Sequence, residues 1–154
     1  MAKNPDFDTA SAHRYFSAHC FNSAWDLIDN ADRTPEEDQQ MIDLVRASIW
    51  HWTQRDDCTD QNLSVGYWQA SRVYALVGQA DNARRYGKMS LDKSEGGEPF
   101  YTGYAYEALA RAESVAGNKD KAEEYLGKAR AFAEKVTDAE SRKMLTDDFK
   151  TVAQ

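Results

Sequence analysis

Tyr67-Trp68-Gln69-Ala70-Ser71-Arg72-Val73-Tyr74-Ala75-Leu76-Val77-Gly78-Gln79-Ala80-Asp81-Asn82-Ala83-Arg84-Arg85-Tyr86 is answered 39 residues later by Tyr106-Glu107-Ala108-Leu109-Ala110-Arg111-Ala112-Glu113-Ser114-Val115-Ala116-Gly117-Asn118-Lys119-Asp120-Lys121-Ala122-Glu123-Glu124-Tyr125. Tyr67, Arg72, Gly78, Asp81, Ala83 and Tyr86 fall on Tyr106, Arg111, Gly117, Asp120, Ala122 and Tyr125, six identities in 20 positions. Ser71 falls on a second small residue, Ala110. Apolar residues on both sides of each glycine recur with helical rather than strand spacing. A fixed period with a glycine between two helices marks stacked helical hairpins.

Each repeated residue type has a physical use. Ser71 and Ala110 are small where the two helices of a hairpin approach. Gly78 and Gly117 end the first helix in a left-handed cap. Ala83 and Ala122 let the second helix close on the first, and Tyr86 and Tyr125 are expected to fill space toward the next hairpin. The pattern resembles the tetratricopeptide repeat, whose turn glycine matches Gly78 and Gly117. Its leading alanine of the second helix matches Ala83 and Ala122, and its later alanine matches Ala129, where the first unit has Ser90. The family's closing proline is missing from both units. The family period is 34, and the five extra residues fit the loop at Glu95–Phe100. Met41…Ala47-Ser48-Ile49-Trp50-His51-Trp52, Ser71-Arg72-Val73-Tyr74 and Tyr106-Glu107-Ala108-Leu109-Ala110-Arg111-Ala112 also look like a family of bacterial tetratricopeptide-like proteins of unassigned function. That second resemblance implies the same fold and no activity.

Working outward, Thr34-Pro35-Glu36-Glu37 is a helix start, with Thr34 as cap, Pro35 in the first turn and Glu37 placed to close a capping box. It separates a first helix, from about Asp8 to Ile28, from a second that runs to about Arg55. Ala12, Phe16, Cys20, Ala24 and Leu27 make the expected buried stripe of the first. Met41, Leu44, Val45, Ser48 and Trp52 make one buried face of the second, with Ile42, Ile49 and Trp50 on another side. Further helices are expected at about Asn62–Val77, Ala80–Lys93, Phe100–Ala116 and Lys119–Val136. Thr137-Asp138-Ala139-Glu140 reads as a second capping box, opening a last helix. The expectation is an all-α chain: a right-handed α-α superhelix of about three tetratricopeptide-like hairpins and a C-terminal helix. It is one domain over 1–154, with a degenerate hairpin at 8–55, repeats at 62–93 and 100–136, and a capping helix at 138–152.

Composition narrows function mainly by exclusion. The chain has 154 residues, 42% hydrophobic and 29% charged, with a net charge of −7. Nucleic acid is an unexpected partner, because phosphate contacts need a clustered basic face and Arg84-Arg85 is too small a cluster. Met1–Thr9 has no apolar core of a secretory signal, no stretch is long enough to span a membrane, and Cys20 and Cys58 form no disulfide framework. A reduced, cytoplasmic protein without membrane partners is therefore expected. His13, His19, His51, Cys20 and Cys58 lack metal-ligand spacings, and no phosphate loop, nucleophile elbow or dinucleotide fingerprint occurs. No cofactor and no catalysis are expected; Gly96-Gly97 reads as a flexible loop.

The tetratricopeptide resemblance implies a concave groove lined by the first helix of each hairpin. Carried over, its positions are Trp68, Arg72 and Ala75 in one unit and Glu107, Arg111 and Ser114 in the next. Two guanidiniums side by side can clamp a carboxylate or phosphate. Alternatively, Glu107, four residues before Arg111, neutralises both arginines and the cluster is structural. His51, between Trp50 and Trp52, joins the candidates as a groove residue, or is a hydrogen-bonded core or rim histidine. The function expected from the resemblance is a non-catalytic protein- or peptide-binding scaffold, its partner a protein, a peptide or a second copy of the chain. The alternative is an anionic-metabolite-binding protein with an enclosed pocket.

Overall fold

The computed structural model describes residues 3–152. Among them are seven helices and no strand: α1 (Thr9–Ile28), α2 (Pro35–Thr53), α3 (Asp60–Leu76), α4 (Ala80–Ser94), α5 (Pro99–Val115), α6 (Lys119–Ala133) and α7 (Ala139–Phe149). They make two compact units, one ending at Thr59 and the other beginning at Asp60. In the first, α1 packs on α2. In the second, α3 pairs with α4 and α5 with α6, both α3 and α4 lie against α5, and α7 covers α5 and α6.

The hairpins turn where the sequence places their glycines. Gly78 and Gly117 have φ of +78° and +82°. At the first turn, Gln79 N–H donates to the Tyr74 carbonyl at 2.9 Å and Gly78 N–H to that of Ala75 at 3.1 Å. At the second, Asn118 donates to Glu113 at 2.9 Å and Gly117 to Ser114 at 3.0 Å. Both are Schellman caps, which use the left-handed glycine to satisfy the last helical carbonyls. Thr34 and Glu37 close the expected capping box of α2, by bonds of 2.7 and 3.2 Å. Gly96-Gly97 sits in a type II turn, with φ of +74° at Gly96 and a Gly97 N–H to Ser94 carbonyl bond of 3.1 Å.

Small residues bring the helices of each hairpin together. Ser48 Oγ donates to the Ser17 carbonyl at 2.7 Å, and Ser71 Oγ to that of Ala83 at 2.7 Å. Ser64 and Ser90 exchange hydroxyl-to-carbonyl bonds of 3.0 and 2.9 Å. Gly87 has Leu109 and Ser71 so near that a β-carbon would lie 3.0 Å from the leucine. In the second unit, Tyr104, Ala110, Leu126, Ala129, Ala133, Val136, Leu145, Phe149 and Val152 form a continuous core, against which Trp68, Phe100, Tyr106 and Tyr125 pack.

Several local expectations change. Phe16 is not on the buried stripe of α1. That stripe is Ser17, Cys20 and Ala24, because the close approach to Ser48 admits only a small residue, and Phe16 sits one position round the helix. Trp50 is likewise on an open side of α2, not a second buried one. Tyr86 and Tyr125 pack within their own hairpins, on Tyr67 and Tyr106 at centroid distances of 6.1 and 6.2 Å, rather than toward the next. α3 starts two residues early, at Asp60. α6 stops at Ala133, short of Val136, since Lys135 and Val136 tighten into bonds three residues back. The cap of α7 is Asp138 and not Thr137: its carboxylate accepts the Ser141 N–H at 2.8 Å and the Ser141 hydroxyl at 2.7 Å. No helix of the described residues is long and apolar enough to cross a membrane.

Candidate functional site

Trp68 and Arg72 are four apart on α3, and Glu107 and Arg111 are four apart on α5. Trp68 and Glu107 occupy equivalent repeat positions, so packing α3 on α5 in register brings all four together. Glu107 is fully buried, at 0% exposure. Its Oε2 accepts the Trp68 indole N–H at 3.2 Å. Its Oε1 accepts Arg111 Nε at 2.8 Å, Arg111 Nη2 at 2.5 Å and Arg72 Nη2 at 3.4 Å. The two arginine side chains are themselves only 14% and 13% exposed. Ala75 is buried on the same helix as Arg72, and Ser114 is half-buried.

The end of α7 completes the cluster. Arg111 Nη2 donates to Thr151 Oγ1 at 2.6 Å and to the Asp148 carbonyl at 3.4 Å. The Asp148 carboxylate lies 3.8 Å from Arg72 and accepts the Tyr104 hydroxyl at 2.7 Å. Burial, followed by this bond and the Asp148 charge, holds the Tyr104 phenol far above its ordinary 10. The set therefore has two guanidiniums and two carboxylates and is electrically balanced. Its side chains are committed to one another, apart from Arg72 Nε, which is buried with no hydrogen-bond partner. Asp148 and Thr151 carry no sequence signal for this role: they lie about forty positions beyond Arg111, and only the return of α7 over α5 brings them in.

A second linkage joins the hairpins on another side. Arg84 of α4 makes a bidentate pair with Glu113 of α5, at 2.7 and 3.2 Å, while its Nη1 reaches Asp81 at 2.8 Å. Arg84 holds the Glu113 carboxyl below its ordinary 4.5, with Asn118 adding a bond of 2.7 Å. The adjoining depression, lined by Asn118, Lys119, Lys121 and Glu124, is open and of mixed charge. No group of three or more His, Cys, Asp or Glu residues among those described is arranged to hold a metal ion. Burial raises the Cys20 thiol, so that position favours the unreactive form.

His51 belongs to the other compact unit. Its Nδ1 is 2.8 Å from Nδ1 of His13 on α1, so one imidazole donates and the other accepts. Trp50 makes edge contacts with both rings, at centroid distances of 5.3 Å to His13 and 4.9 Å to His51. Phe16 lies 5.4 Å from His51 and 5.1 Å from Tyr15, and Tyr15 stacks on His19 at 5.1 Å. All three histidines of the chain thus share one face with Tyr15, Phe16 and Trp50. Tyr15 and Trp50 are 58% and 55% exposed. The sequence contains one local hint of this patch, the four-residue spacing of Tyr15 and His19; the pairing of His13 with His51 depends on how α1 and α2 register. Comparison of the chain with protein-family models, with curated proteins and with solved structures gives no match.

Proposed function

We propose that this chain is a non-catalytic protein-binding module built of tetratricopeptide-like hairpins, and that it docks its partner on the aromatic and histidine face of the first hairpin. The observation that carries this reading is the half-exposed set Tyr15, Phe16 and Trp50, joined by ring-to-ring contacts into one patch. Exposed tryptophan and tyrosine in a contiguous patch are the residues that anchor interfaces, where an apolar ring is buried and a polar edge is matched. The repeat at Gly78 and Gly117, with its paired Schellman caps, supports the tetratricopeptide likeness of α3 to α6. The Glu107 cluster fits a structural role better than an anion clamp, since its two positive charges are matched by Glu107 and Asp148.

Affinity capture from native lysate, read by mass spectrometry, tests this with Tyr15→Ala/Trp50→Ala beside wild type. Partners held by wild type and by the surface control Arg85→Ala, yet lost from the double variant, are the expected result. An unchanged set of partners from a folded double variant overturns the assignment of this face.

A further inference from the structure

We propose that the His13–His51 pair is a proton-operated latch between α1 and α2, closed while the pair holds one proton or none beyond its neutral state and opened when both imidazoles become charged. The proposal concerns regulation within the first hairpin and does not depend on what docks there. Its geometry is a single bond: the two Nδ1 atoms are 2.8 Å apart, with ring centroids 5.0 Å apart. Such a contact requires one Nδ1 to carry a hydrogen and the other to offer its lone pair. In the neutral pair, two different tautomers meet this need. Adding one proton leaves a charged donor facing a neutral acceptor, and the bond strengthens. Adding the second removes the only acceptor and sets two cations against each other.

The charged groups nearest in the sequence, among the described residues, are engaged elsewhere. From α1, Asp8 is engaged by the Ser11 N–H and hydroxyl, Arg14 turns to Asp57 at 3.8 Å, and His19 stacks beneath Tyr15. Beyond the end of α2, Arg55 holds Asp57 by two bonds of 2.8 Å and reaches Ser17 Oγ at 3.0 Å. Neither imidazole has a carboxylate hydrogen-bond partner among the described residues. Burial, and then the His13 charge, depress the affinity of His51 for a proton below its ordinary 6.5. In the unfolded chain both histidines take protons near that ordinary value. The folded hairpin therefore binds fewer protons than the unfolded chain as pH falls below about 6.5, and stability is lost in that direction. Trp50 and Phe16 rest against the same rings, so opening the latch releases the packing of the exposed patch.

Imidazole-resolved NMR of the full chain, in the presence of a chelator, reads the latch directly. At pH 8, His13 and His51 are expected in opposite tautomers. On acidification the second proton should bind the pair at least about tenfold more weakly than the proton of an isolated histidine. His13→Gln should restore the part of the His51 proton affinity that the His13 charge removes, and reduce the fall in thermal midpoint between pH 7.5 and 5. His51→Gln should likewise reduce that fall, so a variant that misfolds does not leave the question open. Independent titration of both rings near the ordinary value, or identical pH dependence in wild type and both variants, overturns the proposal.

Discussion

Glu107→Gln is the substitution that most sharply tests what holds the second unit together. The change keeps shape and volume but removes a charge facing two guanidiniums, and it puts an amide N–H₂ donor among donors. Three partners surround the carboxylate: Trp68 at 3.2 Å, Arg72 at 3.4 Å and Arg111 at 2.5 Å. Breaking a fully buried ion pair from one side costs about 3–5 kcal/mol. Here the arginines are 14% and 13% exposed, and Arg111 keeps Thr151, while Arg72 keeps Asp148 at 3.8 Å. Those remaining contacts reduce the expected loss to about 2–4 kcal/mol. With a urea dependence of about 2 kcal/mol per molar, the unfolding midpoint should fall by about 1–2 M. Arg111→Met alone should also destabilise, and the double variant should lose clearly less than the sum of the two. A midpoint within about 0.3 M of wild type, or strict additivity, refutes the reasoning. If stability were unchanged and an anionic peptide bound more tightly, the cluster would be a ligand groove instead.

Other consequences are direct. Ala83→Leu or Ala122→Leu should destabilise by about 1–3 kcal/mol in urea unfolding, because both alanines are buried where the helices of a hairpin meet. Gly127→Ala should stabilise by about 0.5–1 kcal/mol, since a β-carbon there meets nothing within 4 Å inside an ordinary helix. Gly78→Ala, equally uncrowded but held at φ +78°, should instead cost about 1 kcal/mol, which compares backbone strain with helix propensity in one thermal-melt series. Glu113 has a folded-state carboxyl held below 4.5, so its contribution is present above that value and disappears as pH falls through the lowered one. Wild type should thus exceed Glu113→Gln in thermal midpoint at pH 7, with the gap closing as the pH falls below 4.5.

Much of this architecture is written in local signals. Thr34-Pro35-Glu36-Glu37 opens α2 as its residues dictate, and the two Schellman glycines announce both hairpin turns of the second unit. The Glu107–Arg111 pair follows from a spacing of four on a helix, and the addition of Arg72 follows from the repeat. Features that depend on how helices approach are another matter. Gly87 looks like a poor helix residue until Leu109 is seen against it. Phe16 and Ser17 are neighbours on α1, and only the depth of the α1–α2 contact decides which turns inward. Thr137 and Asp138 can each cap a helix, and the one used is Asp138, whose carboxylate accepts both the N–H and the hydroxyl of Ser141. The His13–His51 bond joins residues 38 apart, and no periodicity in either helix specifies it.

The return of α7 across Arg111 and Arg72 bears on how this unit comes apart. In an array of hairpins where each touches only its neighbours, the terminal element can fray while the rest stays folded. Here peeling away Asp148 and Thr151 would strip partners from both arginines and from Tyr104 at once, in the interior of the neighbouring hairpins. The end of α7 is therefore coupled to α3 and α5, and its amide hydrogens should exchange with solvent at rates near those of the central helices. Opening of α7 alone is thereby made costlier, and exposure of this unit's core is expected to involve α3 and α5 together.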